Sequence, residues 1–344
     1  MDVFAPLSSE PIRVTVSEYG APNFDFVFVP YEDTTAWWSP LVRLSQWPRL
    51  IVKMTAFVWR HEVLLIRSPG HFGLVAHLLA FILRKKSVTK YAGNFSYFEG
   101  ERLPSIIERN FIRRILRPPH YVLIYGRSDA SHLISFIPAA ISGPEIAALR
   151  SLKKERIYFH GKAIFYSLGK LMPVKNFELA IHGLGLLYRE HPELEWEYHL
   201  IGDGETKRLM DLCQDYKIAD RVIFEGKLSY DAAMRKLVTA DFVIMPGLKE
   251  GWPKVVIEGW AVGAVPITAS AGLMSQIIVD GENGFIFEPT PTALKEKIVF
   301  ILSNKAMVES IKARSLEFCQ SYSLEKFKEM AFLVCSEKLH LRTK

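Results

Sequence analysis

The stretch Pro246 to Pro266, PGLKEGWPKVVIEGWAVGAVP, constrains the fold of this chain more than any other. Asp241 to Pro246 ahead of it (DFVIMP) and Val265 to Ala269 behind it (VPITA) are short, apolar and rich in β-branched residues, so both read as strands. Between them, Pro253 suits the first position of a helix, where its fixed φ fits and its missing N–H is not needed. Gly263 suits the residue just past a helix end. The spacing therefore predicts a helix over 253–262 and one βαβ unit. The N-terminus of such a helix faces out of the carboxyl end of a parallel strand, the edge where open α/β sheets hold ligands, and its free N–H groups favour an anion. Glu250 precedes that anion site. Glu258 lies inside the helix among Val255, Val256, Ile257, Trp260, Ala261 and Val262, so its carboxylate is expected to be buried and to need hydrogen-bond donors.

The residues upstream repeat the same alternation. Strand Ala163 to Leu168 ends in Gly169-Lys170 and is followed by Pro173, Lys175 and Asn176. A helix over 177–190, strand Trp196 to Ile201, the turn Gly202-Asp203-Gly204, a helix to Tyr216, strand Val222 to Glu225 and a helix over 230–238 follow. Strand and helix in regular succession argue a parallel, doubly wound sheet. Gly202-Asp203-Gly204 opens like a dinucleotide fingerprint, but Lys207 stands where the third glycine belongs, so NAD is not indicated.

Glu250, Gly251, Pro253, Val255, Glu258, Ala261, Gly263 and Pro266 together resemble the signature E-G-x-P-x-V-x-x-E-A-x-A-x-G-x-P of glycosyltransferase family 4, departing at Gly259, where that family usually has Ala. The resemblance spans 163–289 and implies a retaining GT-B glycosyltransferase: an α/β protein of two Rossmann-like doubly wound parallel-sheet domains facing a cleft. It implies that Glu258 holds ribose hydroxyls and that Glu250 hydrogen-bonds the donor sugar. By the same likeness Gly251 and Trp252 approach the phosphates, and Gly226-Lys227-Leu228 forms the nucleobase edge. Lys170 and Lys175 fall where that family places diphosphate ligands, and two cations beside a helix N-terminus would offset the charge a leaving nucleoside diphosphate develops. Ala271-Gly272 and Asp280-Gly281-x-x-Gly284 resemble the family's following segment. The sequence contains no Asp-x-Asp, so no chelating pair is expected and no metal or cofactor is called for beyond a nucleoside diphosphate sugar as donor. The partners implied are that donor and a glycan or lipid-linked acceptor, in surface polysaccharide or glycoconjugate assembly. Two other readings stay open: a catalytically silent GT-B partner that binds sugar nucleotide, and a sugar-nucleotide epimerase of the same shape.

The first half resembles that family only diffusely. Phe24 to Val29 and Ile12 to Ser17 read as strands, and nothing before Ile12 supplies the strand and glycine-rich turn that open a Rossmann-like half. Either the fold starts at its usual second strand or the reading frame begins late. A helix is expected around Leu41 to Trp59, interrupted at Pro48. Strand Glu62 to Ile66 leads through Arg67-Ser68-Pro69-Gly70-His71 into a buried helix from Phe72, and His71 is the histidine of this half considered for catalysis, with a helix-start role as the alternative. Ser105 with Glu108 three residues later reads as a capping box opening a helix to Leu116. On that helix Ile107, Phe111 and Ile115 form a stripe opposite Arg109, Arg113 and Arg117, so the apolar stripe is expected to pack inward and the arginines to face solvent.

Net charge is +6, and residues 43–127 concentrate it, with 15 basic and 4 acidic residues. That excess suggests electrostatic docking of the arginines on an anionic membrane surface; no nucleic-acid recognition motif accompanies it. Pro144 and residues 150–156 read as a hinge, giving domains 1–156 and 157–320, with a last helix, 321–344, packing back towards the first. The three cysteines, Cys213, Cys319 and Cys335, have neither disulfide-framework nor zinc spacing, which suits a reducing cytoplasm. The longest apolar run, Phe72 to Leu83, has twelve residues with a histidine inside, too short to span a bilayer, and no signal peptide is read at the start.

Overall fold

The computed structural model describes residues 2–7, 25–30, 39–95, 103–125, 128–136, 141–152, 161–248, 254–272 and 274–338. The chain forms two compact units, the second comprising residues 135–344 with two short segments of the first half.

In the first unit β1 (Asp2–Leu7) and β2 (Asp25–Pro30) pair in parallel, Asp2 opposite Asp25 and Leu7 opposite Pro30. A strand therefore does precede Ile12. Six residues suffice because their hydrogen-bond partners come from β2. The expected strand Ile12 to Ser17 lies outside the described residues. Helix α1 (Ser39–Arg60) then runs without a break, with Pro48 inside it. Pro48 is exposed, so the carbonyl it leaves unbonded can turn to water instead of ending the helix. A four-stranded sheet follows in the order β3 (Val63–Ser68), β4 (Lys86–Asn94), β5 (His120–Tyr125), β6 (Leu133–Ser135). β3 and β4 are parallel, and the bonds from Val122 N to His132 O and from Phe136 N to Ile124 O have the slant of a parallel pair. α2 (His71–Ile82) joins β3 to β4 and α3 (Leu103–Arg114) joins β4 to β5; α1 packs beside α2 and α2 beside α3.

Three expectations for these helices are overturned. α3 starts at Leu103, so Ser105 is not its cap, and Glu108 turns inward instead of capping. The Glu108 carboxylate accepts from the Ser68 hydroxyl at 2.6 Å and from the Gly70 N–H at 2.8 Å, with His77 Nε2 3.6 Å away. Burial raises its pKa, against those two hydrogen bonds. Docking Glu108 sets the phase of the helix: Glu108, Ile112 and Leu116 form the buried seam, and Arg109 is buried beside them. Ile107 and Ile115, on the stripe expected to pack inward, are 48% and 47% exposed. In α2, too, Leu78, Phe81 and Ile82 are exposed, so this helix is buried along one side only.

The second unit opens with α4 (Gly143–Leu152), whose Ile146 and Leu149 enter its core and whose Arg150 donates to Trp260 O and Ser315 Oγ. Pro144, read as part of a hinge, lies in the first turn of this helix. The alternation then runs β7 (Lys162–Leu168), α5 (Phe177–Glu190), β8 (Glu195–Ile201), α6 (Lys207–Asp215), β9 (Val222–Gly226), α7 (Tyr230–Leu237), β10 (Phe242–Met245), α8 (Lys254–Ala261), β11 (Val265–Ala269), α9 (Met274–Ile277), β12 (Phe285–Phe287), α10 (Pro291–Ser303), α11 (Lys305–Gln320) and α12 (Leu324–Leu333). The six strands form one parallel sheet in the order β12-β11-β10-β7-β8-β9. Side chains alternate between its faces: Ala163 and Phe165 pack with α5, α6, α10 and α11, whereas Ile164 and Tyr166 pack with α4, α7 and α8. α12 lies against the start of α4, where Leu324 N donates to Ile141 O, Glu325 accepts from Gly143 N, and Phe327 stacks edge-on to Phe136 at 4.9 Å.

The middle of this sheet is fixed by a buried ion pair. Lys312 of α11 donates to Asp241 Oδ1 at 2.8 Å, while Asp241 Oδ2 accepts from Ile164 N of β7 at 3.1 Å. Replacing Lys312 by Met leaves a buried carboxylate without its cation and is expected to cost about 3–5 kcal/mol. Adding Asp241→Asn, which removes the charge but keeps an acceptor for Ile164 N–H, should restore a large part of that loss; urea unfolding of the two variants checks both.

Candidate functional site

The strand order of the second unit reverses between β7 and β10: β8 and β9 are added on one side of β7, β11 and β12 on the far side of β10. All six strands are parallel, so the loops after β7 and β10 emerge together at the carboxyl edge of this reversal, the position at which open α/β sheets bind ligands. The structure joins them directly. Asn176, held in the left-handed region at φ 54°, donates from Nδ2 to Pro246 O at 3.4 Å.

The loop after β7 carries the two predicted lysines. Lys170 is exposed next to Gly169, and Lys175 closes the short 3-10 turn Pro173–Lys175. The Lys175 stem lies over Gly169, its Cε 3.7 Å from where a β-carbon would sit. This loop is knitted to its neighbours by backbone bonds from Gly169 N to Ile201 O, Leu171 N to Asp203 O and Gly202 N to Gly226 O. The knitting explains Gly202-Asp203-Gly204 without a dinucleotide. A β-carbon on Gly202 would overlap Gly169 O, and one on Gly204, at φ 144°, would stand 2.6 Å from Leu171 O. After β9 the predicted turn Gly226-Lys227-Leu228 takes a left-handed Gly226 at φ 69°, and Lys227 Nζ reaches to 4.0 Å from Asp203 Oδ2.

Glu258 sits in α8 and is buried, as its apolar neighbours led one to expect. Burial pushes its pKa up to about 7, opposed by Lys254 one turn earlier. The pKa of the Tyr230 phenol, at the start of α7 just past the Gly226 turn, is raised, first by partial burial and next by the Glu258 carboxylate. Past the helix, Gly263 takes φ 71°, the left-handed exit its position predicted. Gly259 lies against β10, where an added β-carbon would meet Val243 Cγ2 at 3.1 Å, so the methyl usual in the resembled signature would be crowded here. Downstream, Asp280 Oδ1 accepts from Ile286 N at 2.7 Å and Asp280 binds Lys297, an arrangement that holds the Gly281 to Gly284 turn.

Lys170, Lys175, Gly226, Lys227 and Leu228 thus lie in the loops at one edge of one sheet, with Glu258 on the helix that follows β10. Glu250, Gly251 and Trp252 lie outside the described residues, and so does the His71 side chain. Sequence reasoning missed the bridging role of Asn176, because its partner, Pro246 O, lies 70 residues away in the chain. Among the described residues no group of three or more His, Cys, Asp or Glu side chains could hold a metal ion, and no helix is long and apolar enough to cross a membrane.

Residues 150–317 match the family described as glycosyl transferases group 1. An uncharacterized glycosyltransferase of Methanocaldococcus jannaschii is 25% identical over 183 residues, which span 53% of this chain and 50% of that one. Protein CapJ of Staphylococcus aureus is 22% identical over 301 residues, 82% of this chain and 74% of its own. Among solved structures, HepE of Anabaena in complex with UDP superposes with a TM-score of 0.67 at 17% identity, covering 91% of this chain and 86% of that chain. This likeness shows the GT-B fold, two parallel-sheet α/β units.

Gly202→Ala is expected to destabilise the second unit by on the order of 3 kcal/mol, because the clash is with the Gly169 backbone, which cannot swing aside as a side-chain tip can; thermal unfolding measures it. Glu258 makes stability depend on pH. Its carboxyl has an ordinary value of 4.5 and titrates at about 7 when folded, so in that window the folded chain keeps a proton that the unfolded chain has released. The stability tied to that proton is complete below the lower value and is lost as pH rises through the upper one. Glu258→Gln should flatten the decline, read by denaturant unfolding at about pH 5 and about pH 8.

Proposed function

We propose that this chain, whose residues 150–317 match the glycosyl transferases group 1 family, moves a sugar from a nucleoside diphosphate donor to a hydroxyl of a glycan or lipid-linked acceptor. The observation that carries this reading is the bond from Asn176 to Pro246 O, which closes the Lys170–Lys175 loop onto the loop leading to α8 at the strand-order reversal. In this reading the lysines and the N-terminus of α8 receive the diphosphate. Their positive charge opposes the negative charge that grows on the leaving group as the glycosidic bond breaks, without a metal ion. Glu258 takes the ribose hydroxyls, Gly226-Lys227-Leu228 flanks the base, Glu250 orients the donor sugar, and the backbone of Gly251 and Trp252 approaches the phosphates. The acceptor oxygen attacks the anomeric carbon from the face the diphosphate leaves, which retains configuration.

UDP-sugars are the first donors to try, since HepE of Anabaena has been solved with UDP and with UDP-glucose. The group 1 region supports transfer; surface polysaccharide or glycoconjugate assembly at the cytoplasmic face of a membrane is the setting proposed for it.

Nucleoside diphosphate release from a panel of nucleotide sugars, with and without membrane extract as acceptor source, tests the reading. Lys175→Ala should lower kcat by about 10²–10³, the scale of losing a charge-stabilising donor in the transition state. A chelator should leave turnover unchanged. Undiminished turnover in Lys175→Ala would remove the assignment, and donor conversion without any acceptor would favour the epimerase.

A further inference from the structure

The helices of the first unit present an unusual outer surface. α1, α2 and α3 pack side by side, and each buries one seam: Leu50, Met54 and Val58 in α1, Ala80 in α2, Ile112 in α3. The opposite sides carry large apolar side chains in the open. Val52 and Trp59 of α1 are each 68% exposed, as is Ile82 of α2, and Leu103, Ile107 and Ile115 of α3 and its end are 67%, 48% and 47% exposed. Between Val52 and Trp59 lies an open groove of about 420 Å³ that also takes in Ile51, Thr55 and Ala56. Apolar side chains spread over three adjacent helices are more than the scatter expected on a water-facing surface.

Charge selects the occupant. The three helices contain a single carboxylate, Glu108, and it is buried under Ser68 and Gly70. Arg49, Lys53 and Arg60 of α1 and Arg113 and Arg114 of α3 are exposed around the apolar residues, and Lys85 stands over the Trp59 ring at 5.8 Å. We propose that this face docks on an anionic lipid bilayer, its apolar side chains entering the headgroup boundary and its cations meeting lipid phosphates. A second copy of the same surface would set like charges against each other around the contact, whereas an anionic bilayer offers both an apolar interior and the opposite charge. The arginine stripe of α3 alone would suggest docking by charge only. The phase that Glu108 imposes on α3 buries Arg109 but brings Ile107 and Ile115 out with Arg113 and Arg114, and so makes the contact apolar as well. The inference rests on the first unit's own residues, and its test uses no sugar donor, so it stands or falls apart from glycosyl transfer.

The full chain is incubated with vesicles of phosphatidylcholine, alone or with about a third phosphatidylglycerol, and bound protein is separated by flotation. Binding to the anionic vesicles should be roughly tenfold tighter or more, and should weaken as salt rises. Val52→Glu with Ile82→Glu should lower it at least roughly tenfold, and Leu103→Glu with Ile107→Glu, on a different helix, should do the same. All four positions are exposed, so each double variant is expected to unfold at the parent's temperature; if one pair fails to fold, the other still decides. No preference for anionic vesicles, or undiminished binding in a folded double variant, overturns the proposal. So does a dimer in light scattering that the substitutions dissolve while no vesicles are bound.

Discussion

Asp241 holds together the part of the molecule on which the candidate site depends. Its backbone N–H bonds to Ile164 O, its carbonyl accepts from Val265 N, one carboxylate oxygen takes Ile164 N–H and the other takes Lys312. One residue at the start of β10 is thereby tied to β7, to β11 and to α11. These are the neighbours that define where the strand order reverses. Because strands in a parallel sheet rise together, fixing their lower ends in register also fixes which loops meet at the upper edge. The Asn176 contact to Pro246 O is the result at that edge.

Above this base, loops approach as closely as backbone allows. Gly169, Gly202, Gly204 and Gly226 lie where three turns touch main chain to main chain, and only residues without a β-carbon fit at Gly202 and Gly204. Lys170, Lys175 and Lys227 project from a rim that is itself tightly bonded, an arrangement suited to holding cations in fixed positions near a charged ligand.

The second unit was legible in the sequence because its signals are local. Short β-branched runs, a proline and a glycine bracketing 253–262, and apolar residues around Glu258 each act within a few positions, and β10, α8 and β11 follow them closely. Legibility failed where the deciding partner is remote. The phase of α3 looked settled by its own stripe of Ile107, Phe111 and Ile115. Yet a carboxylate with hydrogen-bond partners 38 and 40 residues away outweighed that stripe and turned it outward. Likewise, the glycine pair after β8 resembled a ligand motif because the loop that crowds it lies some thirty residues upstream in the chain. β1 escaped notice for a similar reason, as its pairing depends on β2 and not on its own pattern.

The contact between Glu325 and Gly143 N joins residues 182 positions apart. During synthesis α4 emerges well before the helix that caps its first turn, so it must wait through translation of the whole second sheet before that end is covered. Ring closure over so long a span carries a large entropy penalty, met only once the intervening strands and helices have already drawn the ends together. The seating of α12 on α4 is thus a latch that depends on the sheet between them to hold its two halves within reach.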